Sequence, residues 1–210
     1  MSLAKRLKRL VLIILPLCLT LMLLTYSSEA FAQRTSHGRL VKSMVSKANT
    51  FWDNEFRTLG LPYTPAKLTL IYNKGVNSAC GPLSTQDGPA YCPQKKTVYY
   101  PVHWLDNGRT LASYGPAAVE WAVGHEVGHN VQVQMYEQGF QNLSPYPETL
   151  LVEMQADCFA GMYANHANMS PASINAALPA MQVVSQERIN AFELGYKTGD
   201  LSQCLALANQ

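Results

Sequence analysis

Two histidines four residues apart, with a glutamate beside the first, stand inside an apolar stretch: His125-Glu126-Val127-Gly128-His129. Gly115-Pro116 opens that stretch, and proline is tolerated in a helix's first turn. Ala117, Ala118, Trp121, Ala122, Val123 and Val131 flank the pattern, so residues 116–137 are predicted to form a buried helix. Positions i and i+4 then lie one turn apart on one face, separated by about 6 Å of rise. Two imidazoles and a carboxylate in a buried helix need partners. A single zinc ion within reach of both imidazoles supplies one. Glu126, offset around the helix, can reach a water on the open side of the metal and take its proton.

Such a site needs a third protein ligand. A second helix is predicted over 148–166, and it carries Glu153-Met154-Gln155-Ala156-Asp157. Glu153 follows His129 by 24 residues, enough for a turn and an antiparallel return. Leu150, Leu151, Val152, Met154, Ala156, Cys158, Phe159 and Ala160 surround the two acids and argue for an inward face. Glu153 is therefore assigned to the metal. Asp157, one turn further on, is assigned to the second nitrogen of a ligand histidine, expected to be His125. The expectation is one Zn2+ per chain, held by His125, His129 and Glu153, with Glu126 as the catalytic group. His37 is expected to be exposed, and His103 and His166 to be structural, because neither has ligand spacing to the motif.

The N-terminus changes how the rest of the chain reads. Lys5 to Arg9 is basic, Leu10 to Leu24 is an apolar run, and Ala30-Phe31-Ala32 closes a polar stretch. That order predicts a secretory signal peptide over 1–32, cleaved so that the mature chain begins at Gln33. The alternative is an uncleaved membrane anchor, against which the run's 15 residues fall short of the roughly 20 that span a bilayer. The protein is expected to be exported, periplasmic or secreted, with a membrane contact only if the leader stays attached. Residues 33–210 are expected to be a single domain. They hold 12 basic and 13 acidic residues, so the slight positive charge of the whole chain belongs to the leader. No basic stripe remains to neutralise phosphates, and no nucleic-acid partner is expected.

Export also bears on the cysteines. Setting aside Cys18 in the leader leaves Cys80, Cys92, Cys158 and Cys204, an even number that suggests two disulfides. Three connectivities are open. Loop closure favours Cys80–Cys92 with Cys158–Cys204, and no C-x-x-C pair is present to support a cysteine metal cluster.

Apolar residues from Leu40 to Phe56 recur at helical spacing, which predicts a helix over 36–58, ended by Gly60 and Pro62. Lys67–Tyr72 alternates and reads as a strand, as does Thr97–Tyr100. Between them, 74–96 holds glycines, prolines and two cysteines and reads as a stapled loop. Residues 139–147 read as a loop. Pro171 opens a short helical stretch, and Ser185 is expected to cap a last helix to about Lys197, with Gly199 beyond it. The fold class is α+β, mostly helical, with a small sheet and an active-site helix.

Several blocks together resemble a known family, the bacterial neutral zinc metallopeptidases with a gluzincin-like H-E-x-x-H…E-x-x-x-D site. They are Ser78-Ala79-Cys80-Gly81 with Gly88-Pro89-Ala90-Tyr91-Cys92-Pro93, then Val123 to His129, then Glu153 to Gly161. A fainter block runs from Ser185-Gln186-Glu187-Arg188 through Gly195-Tyr196 and Gly199-Asp200 to Cys204. The resemblance implies a zincin-like metallopeptidase fold and peptide-bond hydrolysis, with a peptide or protein substrate as partner, and it supports the local disulfide pairing. It also has a gap: the family usually carries a His-Gly pair before the serine of the last block, where this chain has Val183-Val184. Tyr136, Tyr146, Tyr163 and Tyr196 are the candidate replacements as oxyanion donors, and Arg188 reads as an ion-pair partner. By analogy to zincins, strand 97–100 or strand 67–72 would pair with an extended substrate. The competing reading is a catalytically weak or inactive binding module of the same fold, stabilised by zinc.

Overall fold

Ser185, Thr149 and Asp200 each cap a helix with a side-chain oxygen, and these caps set where three of the helices begin. The computed structural model describes residues 35–72, 74–105, 114–146, 149–181 and 185–207. The leader with its cleavage point at Ala32, and Val183-Val184, lie outside the described residues. The chain forms two units, Met1–His37 and Gly38–Gln210. In the first, residues 35–37 are described and are helical.

The second unit begins with helix α1, residues 38–58. Its buried stripe is Val41, Val45, Ala48, Trp52 and Phe56, the three-to-four spacing read from the sequence. Five strands follow: β1 Lys67–Ile71, β2 Val76–Ser78, β3 Gly81–Leu83, β4 Ala90–Cys92 and β5 Thr97–Pro101. A 3-10 turn, Val102–Leu105, follows β5. Five more helices complete the described chain: α2 Pro116–Glu137, α3 Leu150–His166, α4 Pro171–Met181, α5 Gln186–Thr198 and α6 Leu201–Ala206. The domain is α+β, mostly helical and zincin-like, with a small sheet.

The stapled loop holds more order than its composition suggests. It contains an antiparallel β2–β3 hairpin and the strand β4. Each is three residues long, too short for alternation to register in the sequence. Gly81 sits at φ 117°, a backbone conformation that favours glycine, where the hairpin turns into β3. The three-stranded sheet has the order β1-β5-β4, with β1 parallel and β4 antiparallel to β5. Strand 97–100 is therefore central and has a partner on both edges. This corrects its reading as a strand that could receive substrate: among the described residues the outer strands of that sheet are β1 and β4.

The core joins α1, β5 and the helices. Trp52 meets Phe159 of α3 edge-to-face at 5.2 Å between centroids, and Val123, Val127 and Val131 of α2 are fully buried in the same cluster. Helices α2 and α3 pack closely because Gly128 leaves room for the backbone of Ala156, which a β-carbon would approach to 2.9 Å. Helices α3 and α5 approach through Gly161 and Gly195.

Two disulfides form, Cys80–Cys92 and Cys158–Cys204. The first staples the hairpin segment to β4, and the second ties α6 to α3. The second closes a span of 46 residues, for which chain entropy gives roughly 4 kcal/mol of stabilisation as an upper figure. Replacing Cys158 and Cys204 together by Ala is expected to lower stability by about 2–4 kcal/mol. Urea unfolding followed by far-UV circular dichroism checks this, and an unchanged midpoint would remove α6 from the account of what holds α3.

Candidate metal centre

Helix α2 carries His125 and His129 on one face, and α3 crosses that face with Glu153 and Asp157. The α2–α3 approach at Gly128 sets the depth at which the two acids arrive. His125 Nε2 and His129 Nε2 lie 3.1 Å apart. Glu153 Oε2 is 3.4 Å from His125 Nε2, and its Oε1 is 3.4 Å from His129 Nε2. Zinc bonds of 2.0–2.1 Å at tetrahedral angles place neighbouring donor atoms about 3.3 Å apart. The spacing of these donor atoms thus fits a zinc ion, as does their His-His-Glu chemistry. Among the described residues, His125, His129 and Glu153 form the one group of His, Cys, Asp or Glu side chains that could hold a metal.

The other nitrogens are also engaged. His125 Nδ1–H donates to Asp157 Oδ1 at 2.9 Å, and His129 Nδ1–H donates to Gln132 Oε1 at 2.8 Å. Both rings therefore turn Nε2 inward. Asp157 is wholly buried and takes two further donors: Trp121 Nε1–H on Oδ1 at 3.0 Å, and Arg188 Nε–H on Oδ2 at 2.5 Å. Arg188 reaches Glu153 Oε2 with its second arm, at 2.9 Å. Glu126 is buried on α2 next to His125, and its charge acts on His125, Arg188 and Tyr100.

Four charged groups set one another's ionisation. Burial pushes the Asp157 carboxyl up, but His125 and Arg188 outweigh it and hold the group below its usual value. Burial likewise opposes ionisation of Glu153, but its hydrogen bond to His125 and the charges of His125, His129 and Arg188 bring it down to about 2. For His125, burial works against the charged form, yet Asp157, Glu153 and Glu126 raise the group to about 10. Burial and the neighbouring His125 charge lower His129 to about 4. In the metal-free chain at neutral pH, the histidine pair, with its Nε2 atoms 3.1 Å apart, carries one proton, which Asp157, Glu153 and Glu126 favour on the His125 side.

A metal ion taken up by these donors displaces the one proton of the histidine pair, since Glu153 is already deprotonated. Zinc uptake at pH 7 is expected to release about one proton per ion, and affinity to rise with pH through neutrality. Calorimetric titration in buffers of different ionisation enthalpy reads the proton count. A count near zero would contradict a proton held by the histidine pair.

Other residues named from the sequence are placed apart from this cluster. His166 packs its ring against Phe51 at the end of α3, and His103 lies in the turn after β5. Tyr163 donates its hydroxyl to Glu120 Oε1, and Tyr196 donates to the Met169 carbonyl, so both hydroxyls are committed elsewhere. Tyr136 and Tyr146 are exposed. Arg188 is an ion-pair partner, but of two carboxylates at once. Sequence reasoning missed Gln132, Gln155, Trp121 and Tyr91. Tyr91, on β4, stacks near His129 at 6.5 Å and donates its hydroxyl to Asn130 Oδ1. Gln132 carried one available signal, its position three residues after His129 on the same helical face.

A histidine-bearing helix crossed by a carboxylate-bearing one, beside a small mixed sheet, defines a zincin-like domain with a candidate zinc centre. Residues 24–183 match the family described as "Putative neutral zinc metallopeptidase", and the chain belongs to that family. Uncharacterized protein YpfJ of Escherichia coli (strain K12) is 27% identical over 188 residues, covering 73% of this chain and 65% of that protein. Uncharacterized protein Rv2575 of Mycobacterium tuberculosis is 29% identical over 209 residues, covering 79% of this chain and 70% of that protein. Uncharacterized protein Mb2605 of Mycobacterium bovis matches to the same extent. The chain spans just under two thirds of the E. coli relative's length. No solved structure matches the chain significantly.

Proposed function

We propose that the protein is an exported zinc-dependent metalloendopeptidase whose partner is a peptide or protein substrate. The observation that carries this reading is the convergence of His125 Nε2, His129 Nε2 and the Glu153 carboxylate at 3.1–3.4 Å, beside a buried Glu126. These three residues would hold one zinc ion per chain. Zinc bound there supplies Lewis acidity, polarising a scissile carbonyl and making a water acidic enough to lose its proton near neutral pH.

The chain's own groups do the rest. Asp157 holds the His125 ring with Nε2 inward, and Arg188 and Trp121 hold Asp157. Glu126 takes the proton of the attacking water on a carboxylate oxygen and passes it to the leaving amine nitrogen.

Two features support export. The basic-apolar-small order of 1–32 is that of a cleavable signal peptide, which leaves 33–210 as one mature domain. Two disulfides suit an oxidising compartment. No helix among the described residues is long and apolar enough to cross a membrane.

The test is metal dependence. Purified protein is treated with a chelator, dialysed, and reloaded with zinc while cleavage of a mixed peptide pool is followed. Cleavage that disappears on chelation and returns with one equivalent of zinc supports the reading. Cleavage that persists in the metal-free chain rejects it.

A further inference from the structure

We propose that Gln132 is the positioning residue for the metal ligand His129, and that Gln155 in turn holds Gln132. The proposal rests on the metal reading of the site. It starts from two backbone carbonyls, which can only accept. Gln155 Nε2–H donates to the Cys204 carbonyl at 3.4 Å, so the Gln155 amide oxygen faces the other way. That oxygen accepts from Gln132 Nε2 at 3.0 Å, and the same Gln132 nitrogen donates to the Val152 carbonyl at 2.7 Å. Both hydrogens of the Gln132 amide are thereby used. Its Oε1 is left to face His129 Nδ1 at 2.8 Å, and that nitrogen must carry the hydrogen. The lone pair of His129 is then on Nε2, the atom aimed at His125 and Glu153.

Polarity is thus passed from α3 and α6 into the tautomer of a ligand on α2. Both glutamines are completely buried, so no water competes for their amides. Gln132 is further fixed at its backbone, where its carbonyl accepts from Gln141 Nε2 at 3.1 Å. The two ligand histidines also differ in kind. His125 leans on a carboxylate, whereas His129 leans on a neutral amide, which adds no negative charge to the site and leaves a bound cation the stronger Lewis acid.

The experiment uses the full chain and zinc alone. Zinc affinity is measured by competition with a chromophoric chelator, and the His129 tautomer by long-range 15N correlation spectra, for the wild type, Gln132→Leu and Gln132→Met. Gln132→Leu is expected to weaken zinc roughly 10–100-fold and to lose the slowly exchanging Nδ1–H signal. Gln132→Met keeps the length of the side chain without its amide and is expected to show the same two losses. Wild-type affinity and tautomer in Gln132→Leu would overturn the proposal, as would their recovery in Gln132→Met, which indicates a packing role. Should Gln132→Leu not fold, Gln132→Met decides alone: weaker zinc with loss of the Nδ1–H signal supports the proposal, and wild-type affinity and tautomer overturn it. A wild-type chain that takes up no zinc would defeat the metal reading and this inference with it. A wild type that binds zinc beside an unaffected Gln132→Leu defeats the inference only.

Discussion

Glu126→Gln is expected to bind one zinc per chain, melt within about a degree of the wild type, and lose about 1,000-fold in kcat/KM on any peptide the wild type cleaves. The two properties separate because Glu126 is not among the converging donors. It sits one residue after His125 and so points about 100° further around α2. Its amide replacement keeps the size of the side chain and one accepting oxygen, exchanges the other for a donating NH2, and cannot take up a proton. General base catalysis contributes typically 10²–10⁴-fold, and the loss should fall mainly on kcat. A single-turnover assay beside metal analysis checks both halves. Equal turnover in the variant would assign proton transfer to another group.

The second large effect is on stability, at the crossing of α3 and α5. A β-carbon placed on Gly195 would meet the Cys158 carbonyl oxygen at 1.9 Å, and one on Gly161 would meet the Phe192 carbonyl oxygen at 2.0 Å. Both obstacles are backbone, so no rotamer change relieves them. Gly195→Ala must push the two helices apart, and overpacking of this kind costs about 3 kcal/mol or more. For a chain of this size that is roughly 6–12 °C in melting temperature. The same displacement moves Arg188, at the start of α5, away from Asp157 and Glu153 on α3. Zinc affinity should therefore fall together with stability. Gly88→Ala is the control, since nothing lies within 4 Å of its added carbon; it should be neutral within about 0.5 kcal/mol. Differential scanning calorimetry of the three proteins decides it, and a Gly195→Ala melt matching the wild type would mean that the helices can separate at little cost.

What could be read from the sequence was local. Residues one helical turn apart, as in His125–His129 and Glu153–Asp157, announce a shared face, and α2 runs over the residues that its Gly-Pro start and apolar spacing predict. The Ser185 cap and the Gly199 stop bound α5 for the same reason. What could not be read depends on meetings between distant segments or on elements too short to carry a period. Strands β2, β3 and β4 have three residues each, and α6 has six. The central place of β5 follows from a parallel pairing with β1 across the whole hairpin segment, which no local pattern encodes. Arg188 was visible as a charge, but its grip on Asp157 spans 31 residues of sequence. Gln132 and Gln155 are 23 residues apart, and a glutamine on a helix ordinarily reads as a solvated side chain.

Cleavage chemistry itself is most directly tested on the oxidised chain from residue 33, loaded with zinc and incubated with a complex peptide library beside its Glu126→Gln counterpart. Mass spectrometry then reads the new termini. The account predicts internal cleavages in the wild-type sample that are absent from the variant. Identical peptide populations in the two samples, with one zinc bound in each, would contradict it and leave a zinc-stabilised binding domain in its place.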